Sequence, residues 1–355
     1  MNRRSVARPE RKVKMKKWLL FTVGAVLALF MILDAGQAKA VSPASIPNEP
    51  YFGQMAPGET PELFAPGIIS TGANELSVTI SPDLNEFYVS RCSPDWTTSI
   101  VCLTRSVSGW SDPQLAPFVR GLGDVYPFYS AKEHAVFFNS QRPLPGITTD
   151  KPIRTIWMAR RSGPNWAEAV TLAGQLDLSL QLAYPTVAEN GNIYFHSTME
   201  DSLGGSDIYC LEKSASGYGK IRNLGSAINS ERQEFHPFIS PAEDYIIFDR
   251  NSPEGFGGND LHISFKNSDG TWSKAINMGE TINTRDSDMR AFVSPDGKYL
   301  FFCSMRPNHQ DRVDDEHPGY ESFANIIYGP GNGSQDIYWV SAAVIEKLKR
   351  KQAGK

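Results

Sequence analysis

The chain has 355 residues, with 35 Lys/Arg against 39 Asp/Glu and four cysteines. Nine of the basic and two of the acidic residues fall in residues 1–40, so residues 41–355 carry a formal charge of −11. A body this acidic argues against nucleic acid and anionic membrane as partners, and its length suffices for a large core in one domain.

In chain order, the first feature is the apolar run at 18–33, W-L-L-F-T-V-G-A-V-L-A-L-F-M-I-L. Lys16-Lys17 precede it and Ala38-Lys39-Ala40 follows. A basic flank, a short apolar core and a small-x-small site together predict a secretory signal peptide over residues 1–40, cleaved after Ala40. The mature protein is then expected in the periplasm or secreted. The alternative is an uncleaved, outward-facing anchor, for which the run is short of the ~20 residues a span needs.

Residues 58–66 (G-E-T-P-E-L-F-A-P) read as a lone strand, after which the chain repeats itself five times, about every 50–57 residues. The repeats align on turns at Ser81-Pro82-Asp83, Ser130-Ala131-Lys132, Ala188-Glu189-Asn190, Ser240-Pro241-Ala242 and Ser294-Pro295-Asp296. A strand-like run precedes each turn, and Pro127, Pro185 and Pro237 within these runs predict an edge strand, because proline cannot donate to a ladder. An aromatic and aliphatic run follows each turn, such as Val136-Phe137-Phe138 or Leu300-Phe301-Phe302, and predicts a strand buried between sheets.

A third strand follows a polar loop. A fourth element, opened by Trp110, Trp166, Tyr218 or Trp272, is missing from the fifth repeat. The lone strand before the first repeat supplies it, which closes the ring and removes the open edge. The prediction is an all-β, five-bladed β-propeller of four-stranded blades over residues 41–340. A short helix and basic tail complete it at 341–355.

The runs S-P-D-G-K-Y-L-F-F (294–302), G-G-S-D-I-Y (204–209), G-G-N-D-L-H (257–262) and D-G-T-W-S-K-A-I-N-M-G (269–279) resemble the PD40, or WD40-like, β-propeller repeat, related to TolB-type propellers. The resemblance covers residues 60–340; the first two repeats depart from it by lacking the Gly-Gly-x-Asp turn. It implies an exported propeller used for protein contacts. A Tol-system role does not carry over, because the chain lacks a separate N-terminal domain.

Several positions are candidates for function. The first residue of the inner strand is acidic in four repeats: Glu75, Asp124, Glu234 and Asp288, with Leu182 the exception. Two residues on, hence on the same face, stand Ser77, Tyr126, Tyr184, His236 and Arg290. This face can line one mouth of the channel as a ligand or peptide-end pocket, or as a cation site built from the carboxylates. Alternatively, the acids accept backbone N–H bonds from the neighbouring blade and hold the ring together. Their recurrence favours architecture, whereas the Tyr/His/Arg position varies and is the better functional candidate.

Asp207, Asp260 and Asp336 read as caps on tight loops, and Trp110, Trp166 and Trp272 as packing posts. The segment 305–335 is an unusually long connection. Within it His309, Asp311, Asp314, Asp315, Glu316 and His317 match no named metal loop and suit a partner-binding lid. Cys92 and Cys102 flank a short turn and can pair across a hairpin in an oxidising compartment. Cys210 and Cys303 read as buried thiols.

No nucleophile elbow, zinc-protease or phosphate-cradling motif is present. The leading expectation is a non-enzymatic module that binds an envelope or secreted protein or peptide through one face of the ring and the 305–335 loop. The alternative is a carbohydrate-active enzyme or glycan-binding lectin using carboxylates at the channel mouth. No cofactor is expected, calcium at the acids being the alternative.

Overall fold

The computed structural model describes residues 46–148, 151–172, 181–308 and 319–354. A two-residue strand, β1 (Glu62–Leu63), comes first. The first blade holds β2 (Asn74–Ile80), β3 (Glu86–Cys92), β4 (Thr98–Ser106), β5 (Gly109–Trp110) and β6 (Gln114–Leu115). The second holds β7 (Val125–Ser130), β8 (Ala135–Ser140), β9 (Thr155–Ser162), β10 (Asn165–Trp166) and β11 (Val170–Thr171). The third holds β12 (Ala183–Val187), β13 (Ile193–Ser197), β14 (Asp207–Ser214) and β15 (Gly217–Asn223). The fourth holds β16 (Glu234–Ile239), β17 (Tyr245–Asn251), β18 (Asn259–Phe265) and β19 (Ile276–Asn277). The fifth holds β20 (Asp288–Val293), β21 (Tyr299–Ser304), the helix α1 (Tyr320–Tyr328) and β22 (Asp336–Ser341), before the terminal helix α2 (Ala343–Gln352).

Each blade is an antiparallel meander whose inner strand (β2, β7, β12, β16 or β20) is an edge of its sheet. Pro127, Pro185 and Pro237 therefore sit where no ladder donor is missed. The outer strand is split in the first two blades, where β5 and β6 pair with β4, and β10 and β11 with β9. In the fifth blade β1 is the outer strand, with Glu62 opposite Trp339 and Leu63 opposite Tyr338. The predicted five-bladed ring and its closure are both present.

The second strands β3, β8, β13, β17 and β21 are buried on both faces. Phe87, Phe137, Phe195, Ile247 and Phe301 belong to one continuous apolar cluster. A fully buried side chain of this kind stabilises the fold by about 1.5–3 kcal/mol. Phe64 locks the closure: its ring centroid lies 4.9 Å from those of both Phe301 and Trp339.

Helix α2 buries Ile345 and Leu348, three residues apart on one face. Its last turn carries Lys349, Arg350 and Lys351, cations that suit the negative end of the helix dipole. Helix α1 is a departure from expectation, since 305–335 reads as a loop. It is short, lacks a side-chain N-cap at Gly319 and buries no side chain, so neither caps nor periodicity announce it. No described helix is long and apolar enough to cross a membrane.

Candidate functional site

The four repeated acids are buried, and each meets an arginine from the end of its own blade's second strand or just beyond it. Glu75 faces Arg91 at 3.4 Å, Glu234 faces Arg250 at 2.6 Å and Asp288 faces Arg306 at 2.7 Å; Asp124 pairs with Arg142. Three of the acids also clamp the turn leading into their strand. Glu75 accepts from the Thr71 backbone N at 3.0 Å, Glu234 from Ser230 N at 3.0 Å and Asp288 from Thr284 N at 2.6 Å. The arginines reach back to the same connections, Arg91 to the Ile68 carbonyl and Arg250 to that of Ile228. Burial pushes the Glu75 and Glu234 carboxyls up, against the pull of their arginines and hydroxyl partners. The N–H donors of these three lie in the acid's own entry turn rather than in the neighbouring blade.

The exception supports this account. The third repeat has Leu182 in place of the acid, and its second strand runs into Ser197-Thr198 with no arginine. Acid and arginine are present together or absent together, 16 or 18 residues apart. That spacing was readable in the sequence and identifies the acids as half of a structural pair.

The varying position behaves differently. Each inner strand has a β-bulge there, with register shifts at Glu75/Ser77, Val125/Phe128, Ala183/Thr186, Phe235/Phe238 and Met289/Phe292. Tyr126, Tyr184, His236 and Arg290 adopt left-handed φ values of 58°, 58°, 49° and 57°. Bulky residues rarely tolerate this region, and such strain concentrates at functional sites.

Their side chains converge. Ring centroids are 5.2 Å apart for Tyr126–Tyr184, 5.0 Å for Tyr184–His236 and 5.8 Å for Tyr126–His236. The Arg290 guanidinium carbon lies 5.6 Å from the Tyr126 ring, within cation–π range. Residues from four blades thus meet where the inner strands begin.

Two further tiers complete this mouth. The bulge N–H groups of Tyr126, Tyr184, His236 and Arg290 donate to Ser90, Asn139, His196 and Asp249 of the preceding blade, at 2.8, 2.7, 3.0 and 3.2 Å. Cys303 holds the same position in the fifth blade. At the entrance to the third strand stand Thr98, Arg154, Ser206, Asn259 and Gln335. Asn259 Nδ2 donates to Asp249 Oδ2 at 2.7 Å, and Arg290 Nη1 to Gln335 Oε1 at 2.5 Å. The sequence reading missed both tiers. Their signal is a polar residue of changing identity beside an otherwise apolar strand.

His236 Nδ1 lies 2.9 Å from Asp249 Oδ1. Burial nevertheless pushes the His236 imidazolium below its ordinary range, with Arg290 adding to the push and Asp249 opposing it. Burial, then His236, Arg290 and Arg154, push His196 well below. Both rings are therefore neutral at pH 7.

The opposite mouth, at the Ser-Pro-Asp turns, is mainly apolar, with Lys132 and Glu189 among its lining. Phe128, Phe238, Phe292, Ile80 and Val187 line a cavity of about 260 Å³ there.

The remaining candidates resolve as follows. Asp207 accepts from Leu203 N and Asn223 Nδ2, and Asp260 from Phe256 N and Asn277 Nδ2, so both cap their glycine-rich loops. Asp336 caps likewise, accepting from Gly331 N. Trp110 packs on Phe52 at 4.3 Å, and Trp166 lies under Arg161 at 4.2 Å. Cys92 and Cys102 do not pair: in the β3–β4 register Cys92 faces Thr98 whereas Cys102 faces Tyr88, and all four cysteines are free, buried thiols. His309, Asp311, Asp314, Asp315, Glu316 and His317 lie outside the described residues. Among the described residues no three of His, Cys, Asp and Glu are grouped so as to hold a metal ion.

No protein-family model and no curated protein matches the sequence. Solved structures do. The chain is similar to a putative TolB from Agrobacterium tumefaciens, at 15% identity and a TM-score of 0.44, over 75% of this chain and 90% of that one. It is similar to an endo-arabinase from Bacteroides thetaiotaomicron at 13% identity and a TM-score of 0.44, over 67% and 91%. A thermostable family-43 glycoside hydrolase gives 16%, 0.45, and 76% and 89%. The chain is a five-bladed β-propeller, similar in fold to a TolB-type protein and to glycoside-cleaving enzymes alike.

Proposed function

We propose that the protein is an exported binding module that takes a protein or peptide partner at the polar mouth, beside the 305–335 segment. The observation that carries this reading is the convergence of Tyr126, Tyr184, His236 and Arg290 on strained backbone, at a repeat position whose identity changes from blade to blade. Architecture repeats, and a position that does not repeat is free for recognition. The loops around this mouth also leave Trp96, Leu203, Phe256, Phe323, Ile327 and Tyr328 exposed, the residue types that anchor protein interfaces.

The test is excision of the long segment. Asn308 N donates to the Gly331 carbonyl at 2.9 Å, so the excursion departs and returns at adjacent points, and residues 309–330 can be replaced by a glycine pair. The melting temperature should stay unchanged and capture of an envelope partner should fall at least tenfold. Undiminished capture would refute this placement of the binding face.

The carbohydrate-active alternative would need Glu75, Asp124, Glu234 and Asp288 free at the mouth, with two of them spaced about 5–9.5 Å apart across a glycosidic bond. Each is instead held by its arginine.

A further inference from the structure

Two arginines at the polar mouth, Arg290 and Arg154, form no ion pair with a carboxylate among the described residues, and the Nε of each is buried without a partner. Arg290 is 7% exposed; one of its nitrogens donates to a neutral acceptor, Gln335 Oε1, and its Nε has no partner. Arg154 is half-buried, and among the described residues it makes no hydrogen bond or ion pair, its Nε being enclosed and unpartnered. The carboxylate of this cluster, Asp249, is fully buried and fully engaged: it accepts from His236 Nδ1, Asn259 Nδ2 and the Arg290 backbone N. Asp124, Glu234 and Asp288 each have an arginine of their own. The hydroxyls of Tyr126 and Tyr184 have no partner among the described residues, and both histidines are neutral. A buried cation without a counter-charge is strongly disfavoured unless an anion joins it.

We infer that this mouth is an anion pocket, and that the group it recognises is a carboxylate of the peptide partner, held by Arg290 and Arg154 with the Tyr126 and Tyr184 hydroxyls beside them. The inference rests on the reading of the mouth as the binding face and names its ligand chemistry. The planar guanidinium fork matches the two carboxylate oxygens.

The test uses the full chain, immobilised, and three pools of random octapeptides read by mass spectrometry. The first has a free α-carboxylate and no Asp or Glu, the second an amidated end with Asp and Glu, the third an amidated end without them. Retention of the first pool assigns a terminal carboxylate, and retention of the second a side-chain carboxylate. Either result should weaken about tenfold or more in R290M, the loss expected for one charge-assisted hydrogen bond. R154M, at a more exposed site, supplies the same readout should R290M fail to fold.

Equal retention of the third pool, or retention unaffected by both variants, would overturn the carboxylate while leaving the face a binding site. No retention from any pool overturns the inference too, and the segment excision then decides the wider reading by itself.

Discussion

Replacing Glu234 by glutamine separates architecture from chemistry at the repeated acid. Glu234 is fully buried between Arg250 and the Ser230 turn. Removing one member of a buried ion pair typically costs about 3–5 kcal/mol, because the other charge stays buried. Here the Arg250 side chain keeps 16% exposure and the glutamine carbonyl still accepts from Ser230, which places the loss at about 3 kcal/mol. With an unfolding entropy of about 2.1 cal/mol/K per residue over roughly 300 residues, the melting temperature should fall by about 5 °C. Thermal unfolding followed by circular dichroism reads this directly. Glu234→Leu with Arg250→Met, which removes both charges, should recover to within about 1 kcal/mol of wild type. An unchanged melting temperature in Glu234→Gln, together with lost ligand binding, would refute the structural assignment and return the acids to the candidate site.

Acid should destabilise the fold through the buried histidines. The folded state holds His196 and His236 below the ordinary value of about 6.5, against surroundings of Asp249, Arg290 and Arg154. Between the folded values and about 6.5 the unfolded chain binds more protons, so stability is full above that range and is lost as pH falls through it. Glu75 and Glu234, whose carboxyls burial raises, act in the opposite sense. The histidine part is therefore read as a difference: His196→Asn/His236→Gln should flatten the drop in melting temperature between pH 7 and 5.5, and an equal drop in both proteins contradicts the assignment. The thiols should be silent in the native state. Burial pushes Cys210 up to about 11 and Cys102 and Cys303 up to about 12, so a thiol reagent at pH 8 should react fully only after unfolding, and then with all four cysteines; recovery of fewer than four would mean a disulfide.

The sequence by itself determined the architecture of this protein. Strand periodicity, the Ser-Pro-Asp turns and the position of the prolines count five blades. The absence of a fourth strand at one end and a spare strand at the other announce the closure that Glu62 and Leu63 make on β22. These features are local, and local patterning determines which segments pair. The acid–arginine spacing was equally legible, and the silent third repeat, with Leu182 and no arginine, carries the same message. Only the tertiary structure brings the varying residues together. Tyr126, Tyr184, His236 and Arg290 lie more than 50 residues apart in sequence, and nothing local says that a bulge turns each of them onto one point. Nor does composition reveal that Arg154 and Arg290 share a mouth in which the aspartate is already engaged. Charge balance in a pocket is a property of neighbours in space, and those neighbours come from different blades.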